Sequence, residues 1–70
     1  MSKVLSSMAG NIWKLLVEVD DQVVVGQEIV ILESMKMEIP ITAEIEGTVK
    51  EIKVNEGDFV SEGEVIVELL

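Results

Sequence analysis

The chain contains no cysteine and no histidine. Without cysteine, neither a disulfide nor a thiolate metal site can staple the fold. Without histidine, the usual neutral-pH acid–base group and the commonest transition-metal ligand are both missing. No Ser-His or Cys-His pair can be built, and 70 residues are too few for a deep pocket. A self-contained enzyme is therefore not expected. Arginine is absent as well: all five cationic side chains are lysines, set against fourteen acidic ones, for a formal net charge of -9. Nucleic acid and anionic membranes both select a basic patch, so neither is expected as a partner. The longest nearly apolar run, residues 23–32, is too short and too interrupted to span a bilayer. The start, Met1-Ser2-Lys3-Val4-Leu5-Ser6, lacks the apolar core of a signal peptide. Together with the missing cysteines, this points to the cytosol.

What is present is aliphatic. Hydrophobic residues make up 49% of the chain, enough for a small core in one domain spanning residues 1–70. Domains of this size are marginal, at roughly 0.05–0.15 kcal/mol of stability per residue.

Shifted by 37 positions, the sequence matches itself without a gap. Gly10 falls on Gly47, Val17 on Val54, Asp21 on Asp58, Val23 on Val60 and Gly26 on Gly63. Ile29, Val30 and Leu32 fall on Ile66, Val67 and Leu69, and Gln27 on Glu64. The shared pattern ends in Asp-x-Val-x-x-Gly-[Gln/Glu] followed by an aliphatic strand. The halves are residues 2–32 and 39–69, with residues 33–38 between them. Each half reads as β structure, with alternation in Leu15-x-Val17-x-Val19 and Ile52-x-Val54. Gly26 and Gly63 open turns, and Asn55-Glu56-Gly57-Asp58 is a further turn signal.

Two β halves of about thirty residues cannot each bury a core alone. Packing them about a pseudo-two-fold axis as a flattened sandwich or barrel solves this. Residues 29–32 should then pair with residues 39–43 in a hairpin closed by residues 33–38. Residues 66–69 should lie beside residues 3–8, so that the termini meet at the end opposite Lys36. Pro40 cannot donate to a ladder and is expected at an edge or a non-bonded position. Trp13 is the one large aromatic expected in the core, although Lys50 is its counterpart in the second half.

The unrepeated piece is Glu33-Ser34-Met35-Lys36-Met37-Glu38. It has none of the Gly, Asn, Asp or Pro that a tight hairpin turn usually wants. A lysine at a hairpin tip is commonplace and usually only solvated. Here it stands between two methionines, flexible and polarizable side chains suited to an adaptable contact. The other lysines, Lys3, Lys14, Lys50 and Lys53, fall within expected strands.

Glu33-Ser34-Met35-Lys36-Met37 resembles the biotin-attachment motif, Glu-Ala-Met-Lys-Met, of biotin carboxyl carrier proteins and carboxylase biotinyl domains. The resemblance extends over nearly the whole chain. Met8-Ala9-Gly10 is similar to the family's opening, with Ser7 in place of the usual proline, and Ala43-Glu44-Ile45-Glu46-Gly47 to its Ala-x-x-x-Gly. Asn55-Glu56-Gly57-Asp58-x-Val60 is similar to its second turn.

The resemblance implies an all-β barrel-sandwich hybrid with biotin in amide linkage on Lys36. Ser34 replaces the motif's alanine. Because the halves align without a gap, there is no room for the protruding thumb of many bacterial acetyl-CoA carboxylase carriers. The chain looks more like the thumbless domains found with pyruvate, propionyl-CoA or methylcrotonyl-CoA carboxylases. The implied partners are a biotin protein ligase, a biotin carboxylase that loads CO2 and a carboxyltransferase that unloads it. Met35 and Met37 are expected to touch those partners. Glu33, Ser34 and Glu38 flank the lysine, where the glutamates either orient the ligase, balance Lys36 or simply aid solubility. Lysine amines have a pKa near ~10.4, so about one in a few thousand is neutral at pH 7. With no histidine in the chain, the ligase must supply deprotonation. Lipoyl carriers use the same lysine hairpin but usually have aspartate where this chain has Met35, so lipoate is the alternative cofactor. A β adaptor with an inert Lys36 is the alternative without one. With no Ala/Pro-rich linker at either end, a free-standing, monomeric carrier is expected.

Overall fold

Short aliphatic and β-branched runs punctuated by turn residues give strands throughout. The structure, a computed structural model, describes residues 2–70. In chain order the strands are β1 (Ser2–Leu5), β2 (Gly10–Leu15), β3 (Gln22–Val23), β4 (Glu28–Ser34), β5 (Met37–Thr42), β6 (Gly47–Ile52), β7 (Phe59–Val60) and β8 (Val65–Leu69). They form two antiparallel four-stranded sheets, ordered β1-β8-β6-β3 and β5-β4-β2-β7.

The sequence repeat maps one sheet onto the other. A shift of 37 residues, that of Gly10 to Gly47, takes β1 to β5, β2 to β6, β3 to β7 and β4 to β8. Each sheet therefore draws two strands from each half, and the halves are interlocked. Even the irregularities repeat. Trp13 is the extra residue of a bulge in β2, and its counterpart Lys50 is the extra residue in β6. Ile29 bulges from β4 and Ile66 from β8. A bulge turns two successive residues to one side, which is why Ile29-Val30 and Ile66-Val67 are each fully buried as pairs.

The repeated Asp-x-Val-x-x-Gly-[Gln/Glu] pattern has a physical account at each position. The carboxylates of Asp21 and Asp58 accept hydrogen bonds from the backbone N–H groups of Glu18 and Asn55, both at 2.9 Å. Val23 and Val60 enter the core. Gly26 and Gly63 adopt φ of 88° and 85°, a region glycine enters without a Cβ penalty. Gln27 and Glu64 accept from the Val24 and Ser61 N–H groups at 3.1 and 3.2 Å. These turns also clip one half to the other: Gly57 N–H donates to the Ile12 carbonyl and Asp20 N–H to the Val49 carbonyl, both at 2.8 Å.

The core is wholly aliphatic, built from residues such as Ile12, Leu32, Val49 and Leu69. Trp13 is not part of it. As the extra residue of a bulge it lies on the outer surface, 42% exposed, with the Lys14 ammonium 5.0 Å from its ring centroid. Other expectations hold with shifted limits. β5 is an edge strand and carries Pro40. Ser2 pairs with Leu69, so the termini meet, at the place the two-fold exchanges for the hairpin. β1 stops at Leu5 rather than residue 8, because the chain turns where the buried Ser6 hydroxyl donates to the Met8 carbonyl at 2.6 Å. Lys53 lies past the end of β6 and pairs with Glu51 at 3.0 Å; that hydrogen bond raises its pKa above the ordinary lysine value.

One position breaks the repeat. The turn residue with φ of 94° is Gly57, whereas its counterpart Asp20 holds φ of 79° with a side chain. A non-glycine residue in that region costs roughly 1–2 kcal/mol. Gly57→Ala is therefore expected to destabilise the protein by that amount. Asp20→Gly is expected to be neutral or stabilising by up to about 1 kcal/mol. Urea denaturation midpoints at unchanged m-value check both.

Candidate functional site

The β4–β5 ladder runs through Leu32 opposite Ile39, Glu33 opposite Glu38 and Ser34 opposite Met37. Only Met35 and Lys36 remain to turn the chain. The loop is thus two residues long, not the six of 33–38: Glu33, Ser34, Met37 and Glu38 are strand residues. Met35 and Lys36 adopt φ of 51° and 67°. Two successive positive φ angles in a two-residue hairpin are the signature of a type I′ turn, whose twist matches that of the strands it joins. Asn-Gly makes such turns without strain, and Met-Lys does not. Non-glycine residues in the left-handed region cost of order 1–3 kcal/mol each. The ladder beneath, which continues to Glu28 opposite Thr42, holds the turn in place.

Lys36 is exposed at the apex, and no hydrogen bond or ion pair among the described residues holds its amine. Met35 is 92% exposed and Met37 62%. The three expected to act together are brought together, with nothing covering them. Glu33 and Glu38 face each other directly across the ladder. Like charges so placed are mildly destabilising, and neither balances Lys36 with an ion pair. They set a negative field at the base of the tip instead. Ser34 is half-buried, and its Cβ lies over Gly10 of β2. A Cβ on Gly10 would stand 3.0 Å from the Glu33 carbonyl and 3.4 Å from the Ser34 Cβ. Glycine at the start of β2 thus lets that strand pack closely under the hairpin, where a larger side chain would push against the Glu33 carbonyl. Sequence reasoning gave Gly10 no part in the site. Its signal was present in the repeat, but Gly47 fills the same role against Leu69 and Leu70, so the repeat alone makes it structural.

No cavity exists among the described residues. The site is a protrusion: a primary amine offered as a nucleophile, with no hydrogen bond or ion pair to it among the described residues. Such an amine suits covalent attachment of a carboxylic acid as an amide by another enzyme, and the exposed apex leaves room for any acyl chain. The Met35→Asn, Lys36→Gly double variant is expected to raise stability by about 1–2 kcal/mol by relieving the turn. The same variant is expected to accept no acyl group, as read by the denaturation midpoint and by mass spectrometry.

Residues 2–69 match the family model described as "Biotin-requiring enzyme". A biotin/lipoyl attachment protein of Bacillus subtilis (strain 168) is 63% identical over 62 residues, covering 89% of this chain and 85% of the relative. The mitochondrial propionyl-CoA carboxylase alpha chain of Homo sapiens is 44% identical over 64 residues, 91% of this chain but 9% of that one. Among solved structures, the urea carboxylase of Kluyveromyces lactis superposes with a TM-score of 0.90 at 30% identity, over 99% of this chain and 6% of that one. The chain thus spans most of one small relative and a small fraction of the carboxylases. The fold, the strained hairpin and the family match agree: this chain belongs to the biotin/lipoyl attachment family.

Proposed function

We propose that the protein is a biotin carboxyl carrier, with biotin held in amide linkage on Lys36. The observation that carries this is the Met35-Lys36 turn: a strained, exposed lysine on a hairpin tip in a chain of the biotin/lipoyl attachment family. The chain is a carrier and not itself a catalyst. A biotin protein ligase brings biotinyl-adenylate to the tip. The Lys36 nitrogen attacks the acyl carbon, the amide bond forms, AMP leaves, and a base of the ligase takes the amine proton. Met35 and Met37 give that enzyme an apolar grip on either side of the nucleophile.

When attached, biotin supplies a ureido nitrogen able to hold a carboxyl group. This chain's own contribution is positional. Lys36 tethers the arm at an apex that no neighbouring side chain obstructs. Glu33 and Glu38 keep the base of the hairpin hydrated and negative. The β4–β5 ladder fixes the direction in which the arm leaves. Tethering converts encounters with a biotin carboxylase and a carboxyltransferase into local events at high effective concentration. The propionyl-CoA carboxylase and urea carboxylase similarities support this setting. A lipoyl carrier is the second reading. It is favoured by the Bacillus relative, whose name covers both groups, and disfavoured by Met35 in the place of aspartate.

Expression in cells that contain both cofactors, followed by intact-mass measurement, decides between them. The expected result is a single biotinyl increment that disappears in Lys36→Arg, with thermal stability unchanged. A lipoyl increment would establish the second reading, and no increment would leave an adaptor. Met35→Gln and Met37→Gln are each expected to lower kcat/KM for biotinylation about tenfold, equivalent to about 1.4 kcal/mol, without shifting the denaturation midpoint. Unchanged kinetics in both would remove the methionines from recognition.

A further inference from the structure

The two-fold supplies an internal control for the outer surface of each sheet, because positions outside the 33–38 hairpin have a counterpart on the other sheet. On the sheet that bears the hairpin, the row after the tip sets Phe59 opposite Asn11, Asn11 opposite Glu33 and Glu33 opposite Glu38. The next row sets Lys14, beside the bulged Trp13, opposite Ile31, and Ile31 opposite Pro40. Alternation with the buried Ile12, Leu32 and Ile41 places these side chains outward. Trp13 and Phe59 are both exposed, Phe59 by 64%. The counterparts on the other sheet are Lys50 for Trp13, Glu68 for Ile31, Lys3 for Pro40 and Gln22 for Phe59. At these four positions one outer face carries the polar or charged Lys50, Glu68, Lys3 and Gln22 and the other the apolar Trp13, Ile31, Pro40 and Phe59; Leu5, 48% exposed on the first face with Thr42 as its counterpart, is the exception. The polar set shows that the strands form without the apolar one.

We infer that this apolar face is the docking surface for the enzyme that acylates Lys36, and that the enzyme meets it with an apolar centre ringed by basic residues. The inference rests on the reading of Lys36 given above. Three features select this occupant. The face is continuous with the tip, since the Glu33–Glu38 row lies between them. Those two glutamates, in a chain of net charge -9, complement a basic rim and steer its approach. They also disfavour a second copy, which would set Glu33 and Glu38 against their own equivalents. Reach supplies the last argument. Enzymes that act on the finished arm can work a full arm's length from the domain. The acylating enzyme must bring its reactive centre within one lysine side chain of the backbone, so it alone is forced against the sheet. Aromatic residues in such a patch carry a large share of docking energy.

The test exchanges Trp13 and Phe59 for the residues their counterparts carry, as Trp13→Lys and Phe59→Gln, singly and together. Biotinylation is then followed with a purified biotin protein ligase, biotin and ATP. The expected result is a KM for the carrier raised about tenfold or more by the double variant, with kcat within about twofold. Glu68→Gln and Gln22→Ala, on the opposite face, leave both constants unchanged. In the wild-type protein, acrylamide quenching of Trp13, the only tryptophan, falls when ligase is added. This readout stands whether or not the variants fold. Unchanged quenching together with unchanged KM in the variants overturns the docking face while leaving Lys36 as the acylated residue. Equal losses from changes on both faces overturn it as well. Concentration-dependent dimerisation abolished by the variants, with KM unchanged, assigns the face to a second copy. A wild-type chain that the ligase does not acylate overturns the reading of Lys36 and this inference with it.

Discussion

Neither half of this chain can fold without the other. Each sheet takes two strands from each half of the sequence, and the turn of each half is bonded to the backbone of the other. Splitting the molecule at the repeat boundary would leave two four-strand pieces with neither sheet complete. The hydrophobic contribution of a 70-residue chain is small, so its burial has to be cooperative. Interlocking two copies of one pattern achieves this without cysteine, metal or aromatic residues. The core is aliphatic, and its bulges repeat along with its glycines and caps.

That cooperativity is what makes the hairpin possible. A type I′ turn built from Met and Lys would not hold in an isolated peptide, since both residues oppose the backbone conformation it needs. The six-pair β4–β5 ladder, packed closely over Gly10, imposes it. Asn-Gly would close the same hairpin with less strain, and Glu33 opposite Glu38 adds a like-charge cost of its own. Local sequence that conflicts with local structure, inside a fold that is otherwise consistent, marks a place kept for another purpose. Here that purpose is presentation of an amine. Position 36 excludes glycine because glycine has no side-chain amine to offer.

Much of this was legible in the sequence. The repeat carried the two-fold, the hairpin and the meeting of the termini, and the missing N–H of Pro40 carried its edge position. The residue types in the hexapeptide carried the site. What was not legible has a common cause. The length of the loop was read from residue preferences, and those preferences are the ones the turn violates, so six residues were expected where two suffice. Trp13 was expected in the core on size alone. The bulge that turns it outward leaves no mark in the alternation of a six-residue strand. Only its counterpart Lys50 signalled the exposure. The asymmetry of the two outer faces likewise needed the register, because Trp13, Ile31, Pro40 and Phe59 come from four different strands.

The central claim is that the fold, and not the short motif, makes Lys36 a substrate. It is tested most directly by comparing biotinylation rates of the intact chain and of a synthetic peptide of residues 30–41 under one purified ligase. With two left-handed residues to impose at of order 1–3 kcal/mol each, and tenfold per 1.4 kcal/mol, the peptide should react at least about thirtyfold more slowly. Equal rates for peptide and protein would contradict the account, because the motif would then suffice without its scaffold.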